Sequence, residues 1–279
     1  MILRGLLIAA SGFLFIFSPG LPMSLLAKRS PSFNRDIVYW GIGAWLVALL
    51  PSLFLQSLLR PILQHSPTPR GLSGQPLDYA LTLVGALLTA FFVAGAMYLV
   101  LLYKRRDVPA ERLYGNGMAL GFGVGLVAQV FTGLSLVGAG FLLMFGDTST
   151  ETLAGFAQIG FLNLLPALLA LILFRPALLA VSAARGVLVA RALKERPSFF
   201  WLAVLVDAVF VWVILALQLV LGGENPGQVL IGGTDLLTSA VTIVYYLIAF
   251  GLAYRWLLTQ IAGWESEKVK GKGKRDARN

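Results

Sequence analysis

The sequence predicts an all-α, polytopic transmembrane helical bundle, and three observations predict it. Hydrophobic residues make up 58% of the 279 residues and charged residues only 13%, against roughly 45–50% and 25% in soluble domains. Apolar runs repeatedly approach or exceed the roughly 20 residues that carry a helix across a hydrocarbon core of about 30 Å. Alternating ten-residue strands are absent, which points to helices and away from a barrel.

The first span, 2–27, begins MILRGLLIAASGFLFIFSPGLP. Arg4 ahead of an apolar core resembles a signal peptide. The apolar stretch nevertheless continues past Pro22 to Ala27 and stops at Lys28 and Arg29, as the cytoplasmic end of a retained span does. Further spans follow at 37–59, 79–103, 113–145, about 172–193, 199–221 and 234–260, seven in all. Between the second and third, QHSPTPRGLSGQP (64–76) is rich in Pro, Gly and Ser and reads as an exposed connector that holds His65. The segment 155–171, GFAQIGFLNLLPALLAL, is apolar enough for an eighth crossing. Counting it as one would move Arg191, Lys194 and Arg196 to the outer side, so it is read as a re-entrant or outer-leaflet helix broken near Pro166.

With seven alternating spans, the clusters Lys28/Arg29/Arg35, Lys104/Arg105/Arg106/Arg112 and Arg191/Lys194/Arg196 fall on one side, together with the basic tail. The positive-inside bias then sets the N-terminus outside and the C-terminus in the cytoplasm. A net charge of +9 is thus a topology signal at the ends of apolar spans and not a nucleic-acid footprint. The chain divides into a helical membrane domain, 1–263, and a basic tail, 264–279, expected to be disordered. Lys268, Lys270, Lys272, Lys274 and Arg275 of that tail are placed to contact anionic lipid, at roughly 1 kcal/mol each near the surface. Nothing in the sequence fixes an organelle, and a prokaryotic plasma membrane is the default location.

Ionisable residues inside spans mark function by default. Three qualify. Arg175 sits near the expected outer end of its span, where its head can snorkel to the headgroups. Arg185 and Asp207 each lie about eight residues from the cytoplasmic ends of neighbouring antiparallel spans, roughly 12 Å deep at 1.5 Å per residue. They are candidates for a buried ion pair, with Ser182 on the face of Arg185. The fourth span carries Gly117, Gly121 and Gly125 at intervals of four, a spacing that lets helix backbones approach closely.

Several segments resemble, in order, those of the YhfC family of intramembrane metalloproteases, over residues 1–215. WGIGAWLVALLPSLFLQSLLRPIL of the second span looks like that family's glycine-started helix. FFVAGAMY (91–98) is similar to Leu-Phe-Glu-Glu-x-x-Arg-Tyr, with Val93 and Ala94 at the two glutamates, Met97 at the arginine and Tyr98 retained. GFGVGLVA (121–128) resembles Gly-Leu-Gly-His-Gly-Gly-x-Glu, which puts Val124 at the histidine and Ala128 at the glutamate. In RPALLAVSAARGVLV (175–189), Ser182 stands at a histidine and Gly186 at a serine, and in WLAVLVDAV (201–209) Asp207 takes a histidine position.

The resemblance implies a protease scaffold whose catalytic and metal-binding residues have been replaced, a pseudoenzyme with no cofactor. Residue chemistry alone leads to the same expectation. A zinc site needs about three ligands from His, Cys or carboxylate, and the chain has no cysteine and one histidine. An aspartyl dyad needs two carboxylates sharing a proton, and Asp207 has no intramembrane partner, since Asp235 lies at a helix mouth on the other side. The leading expectation is therefore a non-catalytic protein that binds or scaffolds other membrane proteins. A partner helix is expected at the fourth span and at a degenerate pocket formed by Val93, Ala94, Met97, Val124, Ala128, Ser182 and Asp207. Two alternatives stand beside it: a transporter, or transporter subunit, using the Asp207/Arg185 pair, and a structural subunit of a larger membrane complex.

Overall fold

The computed structural model describes residues 1–17, 33–65, 75–105, 108–147, 153, 157, 161–221 and 236–276. Among the described residues the backbone forms seven long helices and no strand. These are α1 (Ile2–Phe17), α2 (Arg35–His65), α3 (Gln75–Arg105), α4 (Ala110–Met144), α5 (Phe161–Lys194), α6 (Ser198–Leu221) and α7 (Leu236–Asp276). Five contain stretches long and apolar enough to cross a membrane: Arg35–Leu59, Leu81–Lys104, Arg112–Met144, Leu162–Lys194 and Leu236–Gly263. Helices α1 and α6 contribute shorter apolar stretches, Ile2–Leu14 and Ser198–Ile214. The remainder of the expected first span, 18–27, lies outside the described residues.

α4 is the hub of the bundle, packed against α1, α2 and α5. Its glycines set how close those neighbours come. A Cβ added at Gly121 would collide with the Ser182 carbonyl oxygen of α5, and one at Gly117 with the carbonyl oxygen of Gly186. On another face, Gly123 sits against the Val38 carbonyl of α2, and further along Gly12 of α1 lies against the Gly133 carbonyl of α4. In lipid there is no hydrophobic drive between helices, so backbone approach of this kind supplies the association through dispersion contacts. The intervals of four read from the sequence are therefore packing surfaces, used within the chain.

α5 departs from expectation. The segment 155–171 does not form a separate re-entrant helix broken at Pro166: residues 161–171 are the first turns of one continuous helix that retains both Pro166 and Pro176. Proline removes one donor and kinks a helix, but a membrane helix packed on several sides holds its course through such a defect. Of the expected segment, residues 155, 156 and 158–160 lie outside the described residues. The consequence falls on Arg175, which now stands fourteen residues into the helix, about 21 Å from its start. It is buried, not snorkelling. Its Nη1 donates to the Leu14 carbonyl of α1, and its own carbonyl accepts from Gln129 Nε2 of α4 at 2.9 Å.

Two smaller corrections concern helix ends. His65, expected in a connector, closes α2, and 66–74 lies outside the described residues. α7 keeps helical backbone through Asp276, so residues 264–276 of the basic tail are helical where disorder was expected.

Adding bulk at the α4–α5 contact should open the bundle. Gly121→Leu is expected to destabilise by at least the about 1–3 kcal/mol typical of overpacking, whereas Gly95→Ala on α3, where a Cβ meets nothing within 4 Å, should stabilise by up to about 1 kcal/mol through helix propensity. Melting temperatures of both variants in one detergent check the pair.

Candidate functional site

Val93, Ala94 and Met97 of α3 and Val124 of α4 do share one buried cluster, with Ala183 of α5 and Val204 and Ala208 of α6. They form solid core, not a pocket. Val93, Ala94, Met97 and Val124 are each at most 2% exposed, so these four aliphatic or thioether side chains fill the space among the helices. Ser182 is buried against Gly121 and Gly125, and Ala128, partly buried, falls outside that cluster. The expectation that a partner helix docks in this pocket or on the Gly117/Gly121/Gly125 face is therefore corrected: α5 of the same chain already covers that face, and the pocket is packed shut.

Asp207 stands apart from those substitutions. Its Oδ2 accepts from Arg185 Nη1 in an ion pair whose side chains are 8% and 3% exposed. This joins the middle of α5 to α6. Arg185 Nε has no hydrogen-bond partner among the described residues. Deep ionic groups are tolerated only when matched, so the pair fixes the register of α6 on α5. Ala184 and Val206, the neighbours in sequence of Arg185 and Asp207, line a cavity beside this contact.

That cavity is a laterally open groove of about 570 Å³ between α6 and α7, floored by α5. Both walls pack on α5, while α6 and α7 barely touch each other. The lining is almost wholly apolar, with Leu188, Leu205 and Ala249 among it. From Val181 to Arg191 along α5 the floor is about 15 Å long. Tyr245 closes the inner end, its hydroxyl donating to the Phe210 carbonyl at 3.1 Å and its ring stacked on that of Phe210 at 5.9 Å. Arg191, Phe199 and Trp256 frame the other end.

The Arg191 end is tied together by a clamp. Arg191 Nε and Nη2 donate to the two carboxylate oxygens of Glu195, each at 2.8 Å, and Nη1 reaches Gln260 Oε1 at 3.3 Å. Tyr114 Oη of α4 donates to Glu195 Oε1 at 2.8 Å, and the guanidinium lies 4.6 Å over the Phe199 ring. The starts of α4 and α6 and the far stretches of α5 and α7 therefore meet at one end of the bundle. Above all, the Arg191 hydrogen bonds hold the Glu195 carboxyl below the usual glutamate range. Among the described residues no three His, Asp or Glu side chains come together as a metal-ligand group.

The groove was not anticipated from the sequence. Its lining residues are ordinary Leu, Val and Ala in spans that are apolar all round, and no periodicity separates a lipid-facing wall from a core face. The one available signal was Arg191, Phe199 and Trp256 near span ends, where aromatic and basic residues gather at membrane interfaces.

Fold and site define a class, that of a bundle of helices long and apolar enough to cross a membrane, with an apolar groove beside a buried ion pair. No family model, curated protein or solved structure matches the chain. The resemblance to the YhfC family accordingly rests on the segments quoted above alone.

Two outcomes test the polar contacts. Asp207→Asn, which strands the Arg185 charge, should destabilise by about 3–5 kcal/mol, while the double change Arg185→Met with Asp207→Leu should recover most of that loss; denaturation in mixed micelles measures both. Because the Glu195 pKa is lowered on folding, its contribution is present above the ordinary glutamate value of about 4.3 and is lost as pH falls through the lowered one. Wild type should therefore lose stability relative to Glu195→Gln only in acid, and detergent melts across that range show it.

Proposed function

We propose that the chain is a non-catalytic integral membrane protein that acts by binding another component of the bilayer, admitted sideways into the groove between α6 and α7. The observation that carries this reading is the groove itself: apolar, about 570 Å³, and open laterally. Pockets of roughly 300–1,000 Å³ are the usual size for small-ligand sites. A protease of the resembled family must admit a substrate helix from the membrane, and loss of the chemistry leaves lateral entry as a usable property. The packed Val93, Ala94, Met97 and Val124 support the absence of hydrolysis, since water and a scissile bond have no room among them.

Size sorts the occupants. A helix at least 10 Å across occupies on the order of 1,200 Å³ over the 15 Å length of the groove, about twice the cavity. A scaffolded membrane protein would therefore press only a ridge of side chains into it, while a lipid-like molecule fits whole.

The reading includes seven crossings, with the N-terminus outside and the C-terminus in the cytoplasm. Two features support it. Successive neighbours pair in alternating directions: Gly117 lies against Gly186 and Gln129 against Arg175 for α4 with α5, and Arg185 pairs with Asp207 for α5 with α6. The basic residues Lys104, Arg112, Arg191, Lys194 and Arg196 all stand at helix ends on one side of that alternation, and Lys104 sits 4.6 Å over the Trp40 ring in an interfacial arrangement.

A transporter is the second reading, favoured by the buried Arg185–Asp207 pair beside the groove and by the buried hydroxyls of Ser239 and Thr242, which have no partner among the described residues. Under it, the double change Arg185→Met with Asp207→Leu, which keeps most of the bundle's stability, abolishes flux in reconstituted vesicles.

The main reading is tested by a photoreactive residue at Leu205, irradiated in native membranes. An adduct at Leu205, with none at Val124 in the packed core, is expected. A chain recovered without an adduct at Leu205 overturns the reading.

A further inference from the structure

We infer that the occupant of the α6–α7 groove is an anionic phospholipid, its acyl chain along the floor and its phosphate held at the basic mouth. The inference rests on the binding function proposed above and names the ligand class.

Arg255 is exposed, although it belongs to the apolar stretch Leu236–Gly263 of α7, and no hydrogen bond or ion pair holds it among the described residues. A guanidinium on a lipid-facing helix requires an anionic or strongly polar neighbour, because leaving it in hydrocarbon is costly. Arg255 is three residues beyond Leu252 and directly precedes Trp256, both lining residues of the groove, so it stands on the flank of the groove wall close to its mouth.

Among the described residues the charge at that mouth is mostly positive. Arg191 lines it, Lys194 at the end of α5 and Arg196 in the turn to α6 are exposed, and the Glu195 carboxylate is already occupied by Arg191 and Tyr114. Arg191, by contrast, is a fixed wall of the mouth, locked by Glu195, Gln260 and Phe199. Among the described residues the side chains of Arg255 and Lys194 make no hydrogen bond or ion pair, and Arg196 lies in the field of Glu195. This disposition suits a phosphate at headgroup depth, with bidentate guanidinium contact from Arg255, above a slot that accepts hydrocarbon as far as Tyr245.

Shape and charge together exclude the other small occupants. A neutral lipid would fill the slot but leave the mouth cations without a counter-charge. A free anion would satisfy the cations and leave the slot empty.

The test uses the full chain, purified and exchanged into detergent with equal amounts of phosphatidylglycerol and phosphatidylcholine of identical acyl chains, with bound lipid counted by native mass spectrometry. Wild type is expected to retain phosphatidylglycerol preferentially. Arg255→Gln should reduce that preference about five-fold, the factor equivalent to the about 1 kcal/mol that one basic residue contributes at a membrane surface. Leu205→Trp, which fills the slot, should remove retention of both lipids. Equal retention of the two lipids by wild type, or an unchanged preference in Arg255→Gln, overturns the inference. The Leu205 photoadduct separates this failure from that of the binding function. A protein adduct sinks the lipid and keeps the binding, a lipid adduct keeps both, and no adduct sinks both.

Discussion

Close backbone approach along α4 is the constraint on which the rest of the structure depends. Gly121 against the Ser182 carbonyl, Gly117 against Gly186 and Gly123 against Val38 draw α5 and α2 onto α4 more tightly than any side chain would permit. With lipid as the competing solvent, dispersion over closely approached backbones replaces the hydrophobic effect as the source of association. The same rule explains where the bundle stays open. α6 contains no glycine, and the Gly251 of α7 has no atom within 4 Å of an added Cβ. Two helices faced with Leu, Phe and Ile cannot approach as α4 and α5 do, so they lean separately on α5 and leave a groove between them.

The buried ion pair takes the place of glycine for α6. Arg185 and Asp207 hold that helix on α5 by charge, and stacked and edge-on rings hold it on α3, where Phe91, Phe200 and Trp201 lie within about 6 Å of one another. α7 is fixed by different means, through Phe174 with Tyr246 at 5.2 Å and the Arg191–Gln260 contact. A ligand between α6 and α7 would thus touch two walls that are each independently anchored to one floor. Such a site can keep its shape without depending on its occupant.

Much of this was legible in the sequence, for identifiable reasons. The helical class follows from the length of the apolar runs, and the α4 packing face from the four-residue glycine interval. The Arg185–Asp207 contact follows from equal depth on adjacent antiparallel spans. What could not be read has equally definite causes. Pro166 signalled a break because proline usually ends a soluble helix, whereas here the surrounding helices carry α5 through it, and Arg175 was misplaced as a direct consequence. The pocket at Val93, Ala94 and Val124 was expected to remain a cavity because alignment locates residues without reporting the volume between them. The groove left no pattern at all, since in an apolar span exposed and buried faces draw on the same residues.

Packing links the closed interior to the open groove. A polar catalytic pocket inside a bilayer must hold water and unpaired donors, which weakens packing around it. When such positions carry Val, Ala and Met, the inner bundle of α3, α4 and α5 becomes continuous core, as the cluster around Met97 and Phe122 is here. A rigid interior cannot admit a partner, so a component bound in the way proposed would meet the bundle at the periphery, where helices are held apart by bulky side chains. In this chain that condition is satisfied between α6 and α7, beside the deep pair of opposite charges that keeps one wall of the opening in place.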